Sequence, residues 1–405
     1  MNKNIKLAVA GAVLALTASA ANAGILIPAG DWTVDISGNV NTYMNETQTK
    51  GVAITGGALA SGTAANVERT KNNMGTGLLP NFMSIGASSR QNDLDVSFVI
   101  SFNPGGYTLR SANGGSSQEQ RQSFMTFGDK SWGSIKVGKD LGIFASDAIL
   151  NDMTLLGVGS GGGSRATGDT TTLGRIGTGF LYADWKTQIS YTTPNMSGFQ
   201  ATAGITQAYN AGDGGATRSL ATTAQGGATP AIEGKASYSF AANDITGKIW
   251  VSGFAQKIDG LGTNLRISDT AQAGDIGANI NVAGFGLTGY YYNGTGVGTT
   301  FMLRDALDLA GNARDSDGGY VQATYVLPTK TKVGISWGES NLDKTGVETA
   351  NANQVKKNEM WSAGVYHPLT KSVNLVAEYN HVKSESQTGT NATTNGASLG
   401  AILFF

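Results

Sequence analysis

The chain has 405 residues, of which 58 are glycine and none is cysteine, and hydrophobic residues make up 40%. Without cysteine, disulfide bonds are excluded as a source of stability. The 28 basic residues nearly balance the 29 acidic ones, which argues against a nucleic-acid-binding protein because such proteins need a basic surface.

The N-terminus has the pattern of a secretory signal peptide. Lys3 and Lys6 precede an apolar run from Leu7 to Ala18, and Ala21-Asn22-Ala23 supplies a small-residue cleavage site. The run is too short to span a bilayer as a helix. We therefore predict a signal peptide at residues 1–23 and one exported domain at residues 24–405, with 26 basic and 29 acidic residues once Lys3 and Lys6 are removed.

After the signal peptide, apolar and polar residues alternate with a period of two, which is typical of half-buried strands. The pattern is visible at Trp32–Val40, at Leu94–Phe102 and again at Val373–Asn380. We find no amphipathic helix in this part of the sequence. Three classes of protein remain compatible with the sequence: a secreted β protein, a periplasmic domain and an outer-membrane barrel.

The connections between predicted strands alternate between short and long. Turn residues mark seven short connections: Ser88–Gln91, Gly128–Ser131, Pro194–Ser197, Ala241–Asn243, Ala283-Gly284, Pro328-Thr329 and His367-Pro368. Eight longer polar segments lie between them, at about 45–78, 104–117, 140–179, 210–229, 258–270, 294–316, 341–355 and 385–393. Seven short and eight long connections predict sixteen strands.

This alternation favours a closed barrel in a membrane. An open sheet edge in hydrocarbon would leave backbone groups unpaired, and an up-and-down barrel places all short turns at one rim and all long loops at the other. We predict an all-β fold, a 16-stranded antiparallel transmembrane β-barrel with short periplasmic turns and long extracellular loops.

Strand parity assigns side chains to the two faces of the predicted barrel. On the last strand we expect a lipid-facing set of Leu399, Ala401, Leu403 and Phe405. On the strand before it the expected lipid-facing set is Val373, Leu375, Ala377 and Tyr379, with Asn374, Glu378 and Asn380 facing the lumen. Aromatic girdles at the interfaces are expected at Tyr191, Tyr291, Tyr325, Trp337 and Trp361.

The longest insertion lies in the unit Arg121–Tyr209, which consists of a hairpin, a long segment at residues 140–179 and a second hairpin. Connections longer than about 12–15 residues without structure of their own are uncommon and often functional. We interpret residues 140–179 as a loop folded into the pore.

Four places in the sequence resemble the Gram-negative general porins common in β-proteobacteria. They are the hairpin Arg121–Lys139, the hairpin Ile189–Phe199, the turn and strand Tyr366–Leu375, and the terminal Phe405. The resemblance implies a trimeric outer-membrane diffusion pore whose third loop folds inward. It also implies that Phe405 is the signal that the outer-membrane assembly machinery recognises.

The same resemblance implies a charge filter in which acidic loop residues oppose basic residues of the wall. The loop candidates are Asp140, Asp147, Asp152, Asp169 and Arg165, and the wall candidates are Arg121, Lys136 and Lys139. Lys136 lies between Ile135 and Val137, so it should face water. The loop lacks the Pro-Glu-Phe-Gly motif of some relatives, and Asn81-Phe82-Met83 stands where an inward basic residue is usual.

The sequence thus predicts a passive channel for small hydrophilic solutes and ions that is not an enzyme, with outer-membrane lipids as its surroundings. No cofactor or metal is expected. One alternative is a channel selective for a sugar or an anion. Another is an outer-membrane hydrolase, for which the isolated His367 and His381 offer no triad. Asp315–Gly318 is only a fragment of a calcium loop, and a solvated turn is the favoured interpretation.

Overall fold

A computed structural model describes residues 24–56, 68–104, 118–160, 171–209, 224–226, 229–260 and 268–405. The predicted signal peptide lies outside these residues. Twenty strand segments follow one another along the described chain: β1 Ile25–Ala29, β2 Trp32–Gly51, β3 Arg69–Gly75, β4 Phe82–Gln91, β5 Leu94–Pro104, β6 Gln118–Glu119, β7 Ser123–Asp129, β8 Gly133–Leu141, β9 Trp185–Thr192, β10 Phe199–Thr206, β11 Ala224–Gly226, β12 Ala231–Ala242, β13 Ile245–Gly260, β14 Ser268–Val282, β15 Phe285–Thr295, β16 Asp315–Val326, β17 Lys332–Leu342, β18 Val355–Pro368, β19 Val373–Ser386 and β20 Asn391–Phe404.

The twenty segments form sixteen barrel strands. Three barrel strands are interrupted, because β3 and β4 both pair with β2, β6 and β7 both pair with β5, and β11 and β12 both pair with β13. The segment β1 forms a separate hairpin with the start of β2. All pairings between strands are antiparallel. The predicted sixteen-stranded antiparallel barrel is confirmed.

The last strand closes the barrel on the first. Residues Asn39–Gly51 of β2 pair with β20 from Phe404 back to Ala392. At the seam the Gly38 amide donates to the Phe405 carbonyl at 2.8 Å, and the Phe405 amide donates back to the Gly38 carbonyl at 3.1 Å. Every spanning strand therefore has two neighbours, as hydrocarbon surroundings require.

The seam leaves no room for a side chain at Gly38. A Cβ there would lie 2.1 Å from the Phe82 carbonyl oxygen and 2.9 Å from the Phe405 ring. We expect Gly38→Val to leave most of the refolded protein unclosed, measured as loss of the heat-modifiable band in electrophoresis. Gly346, which has nothing within 4 Å of its Cβ position, is the matched control, and a Gly38→Val barrel that folds as completely as Gly346→Val would contradict the seam geometry.

The connections alternate as predicted, although several bounds differ. The short turns are at 92–93, 130–132, 193–198, 243–244, 283–284, 327–331 and 369–372, and the long connections are at 52–68, 105–117, 142–184, 207–223, 261–267, 296–314, 343–354 and 387–390. The first turn falls later than expected because Asn92 and Asp93 take φ values of 48° and 64°, the conformation that tight hairpins need. The last long connection is only four residues, since β19 and β20 stay paired as far as Glu385 and Asn391.

The outward face of the barrel is apolar. Leu375, Leu399 and Leu403 are exposed on it, and Asn374, Glu378 and Asn380 are buried on the inward face, as parity predicted. Among the expected girdle residues, Tyr191, Tyr291 and Trp337 are exposed, and the outward Tyr325 and Trp361 pack on Phe285 and Tyr379.

No helix in the described part of the chain is long and apolar enough to cross a membrane.

Candidate functional site: the inner loop and the lysine wall

Of the residues between β8 and β9, the described ones, 142–160 and 171–184, lie inside the barrel, and we call them the constriction loop. It contains a short helix, α1 Ser146–Leu150, and a 3-10 helix, Met153–Leu156. Asp140, expected on the loop, lies instead on β8, because the β8–β9 pairing continues to Leu141 opposite Trp185.

The base of the constriction loop is tied to the barrel wall at β12 and β13. The carboxylate of Glu233 accepts hydrogen bonds from the Ile143 amide at 2.8 Å and the Phe144 amide at 2.9 Å. The Ser252 hydroxyl accepts from the Ala145 amide at 3.2 Å. These bonds satisfy backbone groups that have left the sheet and would otherwise be buried without partners.

The middle of the loop is held by strand β16. The Gln322 side chain accepts from the Met153 amide at 2.6 Å and donates to the Asn151 carbonyl at 3.1 Å. The Tyr320 hydroxyl, on the same strand, donates to the Ala148 carbonyl in α1 at 2.8 Å. Gln322 thus fixes the loop at the junction between α1 and the 3-10 helix.

The far part of the loop reaches β19 and the first strand. The buried Glu378 carboxylate accepts from the Val158 amide at 2.9 Å, the Gly159 amide at 2.8 Å and the Tyr366 hydroxyl at 2.7 Å. The Tyr43 hydroxyl of β2 donates to the Leu156 carbonyl at 2.7 Å. Since the loop contacts inward side chains from β12 round to β2, it crosses the lumen and narrows it.

Aromatic side chains on the inner wall pack against the loop. Phe180 lies 5.9 Å from Tyr320 and 6.5 Å from Tyr290 between ring centroids, and Phe144 lies 5.9 Å from Phe254. These rings are buried. They serve to hold the loop rather than to offer a stacking surface to a passing solute.

Two lysines of the wall hold one carboxylate of the loop. Asp147 in α1 accepts from Lys235 of β12 at 3.2 Å and forms a second ion pair with Lys248 of β13. The two lysine side chains are 26% and 33% exposed, whereas Asp147 is 5% exposed. Burial raises the pKa of Asp147, but both ammonium groups lower it, and the net pKa lies below the usual value.

A second ion pair repeats this arrangement on β8. Lys136 pairs with Asp140, whose other oxygen accepts from the Gln122 amide group at 3.0 Å. The lysine side chain is 25% exposed and the carboxylate 1%. At both sites the lysine is the more exposed partner and the carboxylate is buried.

A family model described as Gram-negative porin matches residues 10–387 of the sequence. The chain belongs to the Gram-negative porin family. It is an outer-membrane diffusion channel. None of the curated proteins compared with this porin matches it.

Several solved structures share the barrel of this porin. The outer membrane channel DcaP of Acinetobacter baumannii matches with a TM-score of 0.67 at 17% identity, covering 95% of this chain and 100% of its own. An anion-selective porin from Comamonas acidovorans has a TM-score of 0.61 at 15% identity, covering 92% and 100%. Salmonella typhi OmpF in complex with daunomycin has a TM-score of 0.57 at 12% identity, covering 94% and 100%. At these identities the likeness concerns the fold.

Two of the wall residues predicted for this porin lie away from the loop helix. Arg121 pairs with Glu119 at 2.8 Å and its guanidinium lies 5.8 Å from the centroid of the Trp185 ring. Lys139 is opposite Ser123 and Thr187, both exposed on the outward face. Lys136 and Lys139 are three residues apart on one strand and therefore point to opposite faces.

The remaining loop candidates of the porin have different surroundings. Asp152 is buried and caps the 3-10 helix, accepting from the Thr154 amide at 2.9 Å and hydroxyl at 2.7 Å. Burial raises the pKa of its carboxyl, while the nearby Arg175 guanidinium acts in the opposite sense. Asp169 and Arg165 lie outside the described residues.

The sequence reasoning missed Lys235, Lys248, Glu233 and Lys186 as site residues of this porin. Lys186 forms a buried ion pair with Glu233 at 2.6 Å, directly below the bonds that hold the loop base. Strand parity could have identified Glu233 and Lys235. These two residues alternate with the apolar Ile232 and Ala236, which face outward, so their side chains point inward. Among the described residues, no group of three or more His, Cys, Asp or Glu side chains could hold a metal ion.

Proposed function

We propose that the narrowest passage of this porin runs between the constriction loop and the lysines Lys136, Lys235 and Lys248, which we call the lysine wall, and that this passage favours small anions over cations. The single observation that carries the proposal is the unequal exposure within the ion pairs. In each pair the ammonium is the partner in contact with the lumen, whereas the carboxylates Asp140 and Asp147 are buried.

The preference follows from the field of these charges. An anion about 4 Å from one ammonium in water-like surroundings gains about 1 kcal/mol, and a narrow lumen with low-dielectric walls focuses that field. Other inward carboxylates, such as Glu233, Asp275 and Glu378, are buried and hydrogen-bonded, so they contribute less to the potential in the water path. The porin from Comamonas acidovorans that shares this fold is anion-selective, which agrees with this direction.

The direct experiment is the zero-current potential of the reconstituted porin across a planar bilayer with a tenfold KCl gradient. We expect stepwise currents and a potential of the sign that chloride permeation produces. A potential of the opposite sign would overturn the anion preference while leaving the channel intact. Flat traces from folded protein would overturn channel activity itself.

We also expect a defined dependence of this preference on pH. The pKa of Asp147 lies below its usual value of about 3.9, so the carboxylate stays charged and paired at neutral pH. The ion pairs of the Asp147 carboxylate contribute to the stability of the folded protein above the pKa that Asp147 has in the unfolded chain. This contribution is lost as the pH falls through the lower pKa that Asp147 has in the folded protein. The zero-current potential should therefore stay constant from pH 8 to about pH 4 and move toward anions below.

The control for this pH series is Asp147→Asn, which should lack the change at acid pH and show a stronger anion preference throughout. A shift of the wild-type potential between pH 5 and pH 7 that persists in Asp147→Asn would assign the effect to another group.

The assembly of the porin belongs to the same proposal. One structural neighbour, OmpT of Vibrio cholerae, has been solved in a trimer form, and we propose a homotrimer embedded in outer-membrane lipid for this chain. Phe405 is proposed as the assembly signal, and its backbone also completes the seam with Gly38. Arg121, Asp152, Asp169 and Arg165 stay proposals as charged residues near the passage, whereas Lys139 does not, because it points outward.

The rival functions have less support. A sugar channel would need exposed aromatic rings along the lumen, and the inward rings that hold the loop are buried. A hydrolase would need a catalytic triad. Instead, His367 contacts Thr331 at 2.9 Å and His381 contacts Asn395 at 2.7 Å. The porin family also points to a channel rather than an enzyme.

A further inference from the structure

The connection between β15 and β16, residues 296–314, lies against the constriction loop, and we call it the second loop. The Thr300 carbonyl accepts from the Tyr182 amide at 3.1 Å. The Phe301 ring meets the Tyr182 ring edge to face at 6.1 Å. A Cβ at Gly177 would lie 2.4 Å from the Thr300 hydroxyl, so the two loops are in direct contact.

Apolar side chains of the second loop are fully buried. Val297, Met302, Leu303 and Leu307 have 0% exposure and join the same core cluster as Phe144 and Phe180 of the constriction loop. A solvated surface loop would present such side chains to water, which is unfavourable for apolar surface. The second loop is therefore packed as part of the protein interior.

The second loop also covers a charged part of the wall. The sulfur of Met302 lies 3.8 Å from the ammonium of Lys186, whose side chain is buried together with its partner Glu233. Since Glu233 holds the base of the constriction loop, the second loop shields from water the ion pair on which that base depends.

A buried arginine fixes the second loop in place. Arg314 donates from Nε to the Glu348 carboxylate at 3.0 Å and forms a second bond from Nη2 to its other oxygen. Its Nη1 donates to the Asp305 carbonyl at 2.8 Å. A two-point pair of this kind is strong and directional, and Glu348 lies on a different connection, at 343–354.

We propose that the second loop is a permanent second wall of the constriction, so that two loops rather than one set the size limit of the pore. This inference rests on the proposed channel function. Arg314 acts as a positioning residue, because it holds the second loop over Tyr182 and Lys186 through Glu348.

The neck of the second loop makes a clean excision possible. Thr295 pairs with Asp315, and the Gly296 amide donates to the Arg314 carbonyl at 2.9 Å. Residues 297–313 can therefore be replaced by Asn-Gly, which forms a two-residue hairpin turn, without moving β15 or β16. We expect single-channel conductance to rise by roughly half or more and larger neutral sugars to enter proteoliposomes, because pore diameter sets both.

A second set of variants guards against misfolding of the excised barrel. Arg314→Glu should raise conductance and current noise, and Arg314→Glu combined with Glu348→Arg should restore both. Met302→Ala should widen the pore, whereas Leu309→Ala, at an exposed position of the same loop, should not.

The results distinguish a failure of the second-loop proposal from a failure of the proposed channel function. If the wild-type porin conducts and the excision variant, shown to be folded, has the same conductance and size limit, the second loop is not part of the constriction. If the wild type does not conduct, the proposed function fails first.

Discussion

We expect that replacing Lys235 and Lys248 by methionine removes the proposed anion preference of the porin and shifts its selectivity toward cations. Each ammonium contributes about 1 kcal/mol to an anion at contact distance, so we expect the permeability ratio of chloride to potassium to fall about thirtyfold in the double variant, at about 1.36 kcal/mol for each factor of ten. Methionine keeps the length and the apolar stem of lysine, which limits the loss of packing.

The effect is large because the two lysines share one carboxylate. Without them the described residues offer Asp147 no other ion-pair partner, and the remaining charge at this point is negative or, if the carboxyl takes up a proton, zero. The triple variant with Asp147→Asn should be nearly non-selective here. The zero-current potential in a KCl gradient measures the selectivity of the wild type, the double variant and the triple variant. An unchanged potential in the double variant would refute the lysine wall as the filter.

Replacing Glu378 by alanine releases the far part of the constriction loop. The change leaves the Val158 and Gly159 amides and the Tyr366 hydroxyl without their acceptor, at a cost of about 1–3 kcal/mol for each buried donor. Because the loop then lacks its attachment to β19, we expect higher mean conductance and strong open-channel noise in planar bilayers.

Two matched variants show whether the hydrogen bonds are responsible. Glu378→Gln keeps an oxygen that can accept from both amides and should behave almost as wild type, and Tyr366→Phe removes only one bond. Glu378→Ala channels as quiet and as narrow as those of Glu378→Gln would show that the loop is held by its apolar packing instead.

The barrel itself could be predicted from local sequence. The positions of turn residues fixed the number of strands, since turn chemistry depends on neighbours along the chain. Parity along β19 correctly placed Glu378 inside and Leu375 outside, because side chains alternate strictly on a strand. The early placement of the first turn shows the limit, because Asn92 and Asp93 rather than Ser88–Gln91 take the left-handed conformation.

The charge filter could be predicted only in part. Lys136 followed from parity, but Lys139 was assigned from motif position and lies on the other face. Arg121 stands where one barrel strand is interrupted between β6 and β7, so parity cannot be carried through it. The partners of Asp147 are 88 and 101 residues away, and no local pattern specifies pairings over that distance.

The sequence analysis placed residues 294–316 among the polar connections and so missed the second loop, although this segment is about as rich in apolar residues as the rest of the chain. It contains the apolar run Phe301-Met302-Leu303, which a solvated loop does not need. Such a run inside a long connection was the available sign that the segment is buried.

Chemical modification of Lys248→Cys in open channels tests the central claim most directly, because the natural chain has no cysteine to react. We predict that a negatively charged methanethiosulfonate reduces the current and moves the zero-current potential toward cations, while a positively charged one restores the anion preference. Ile249→Cys, one residue away on the exposed outward face, should show neither change. An unreactive Lys248→Cys, or identical behaviour of the two cysteine variants, would contradict a passage lined by the lysine wall.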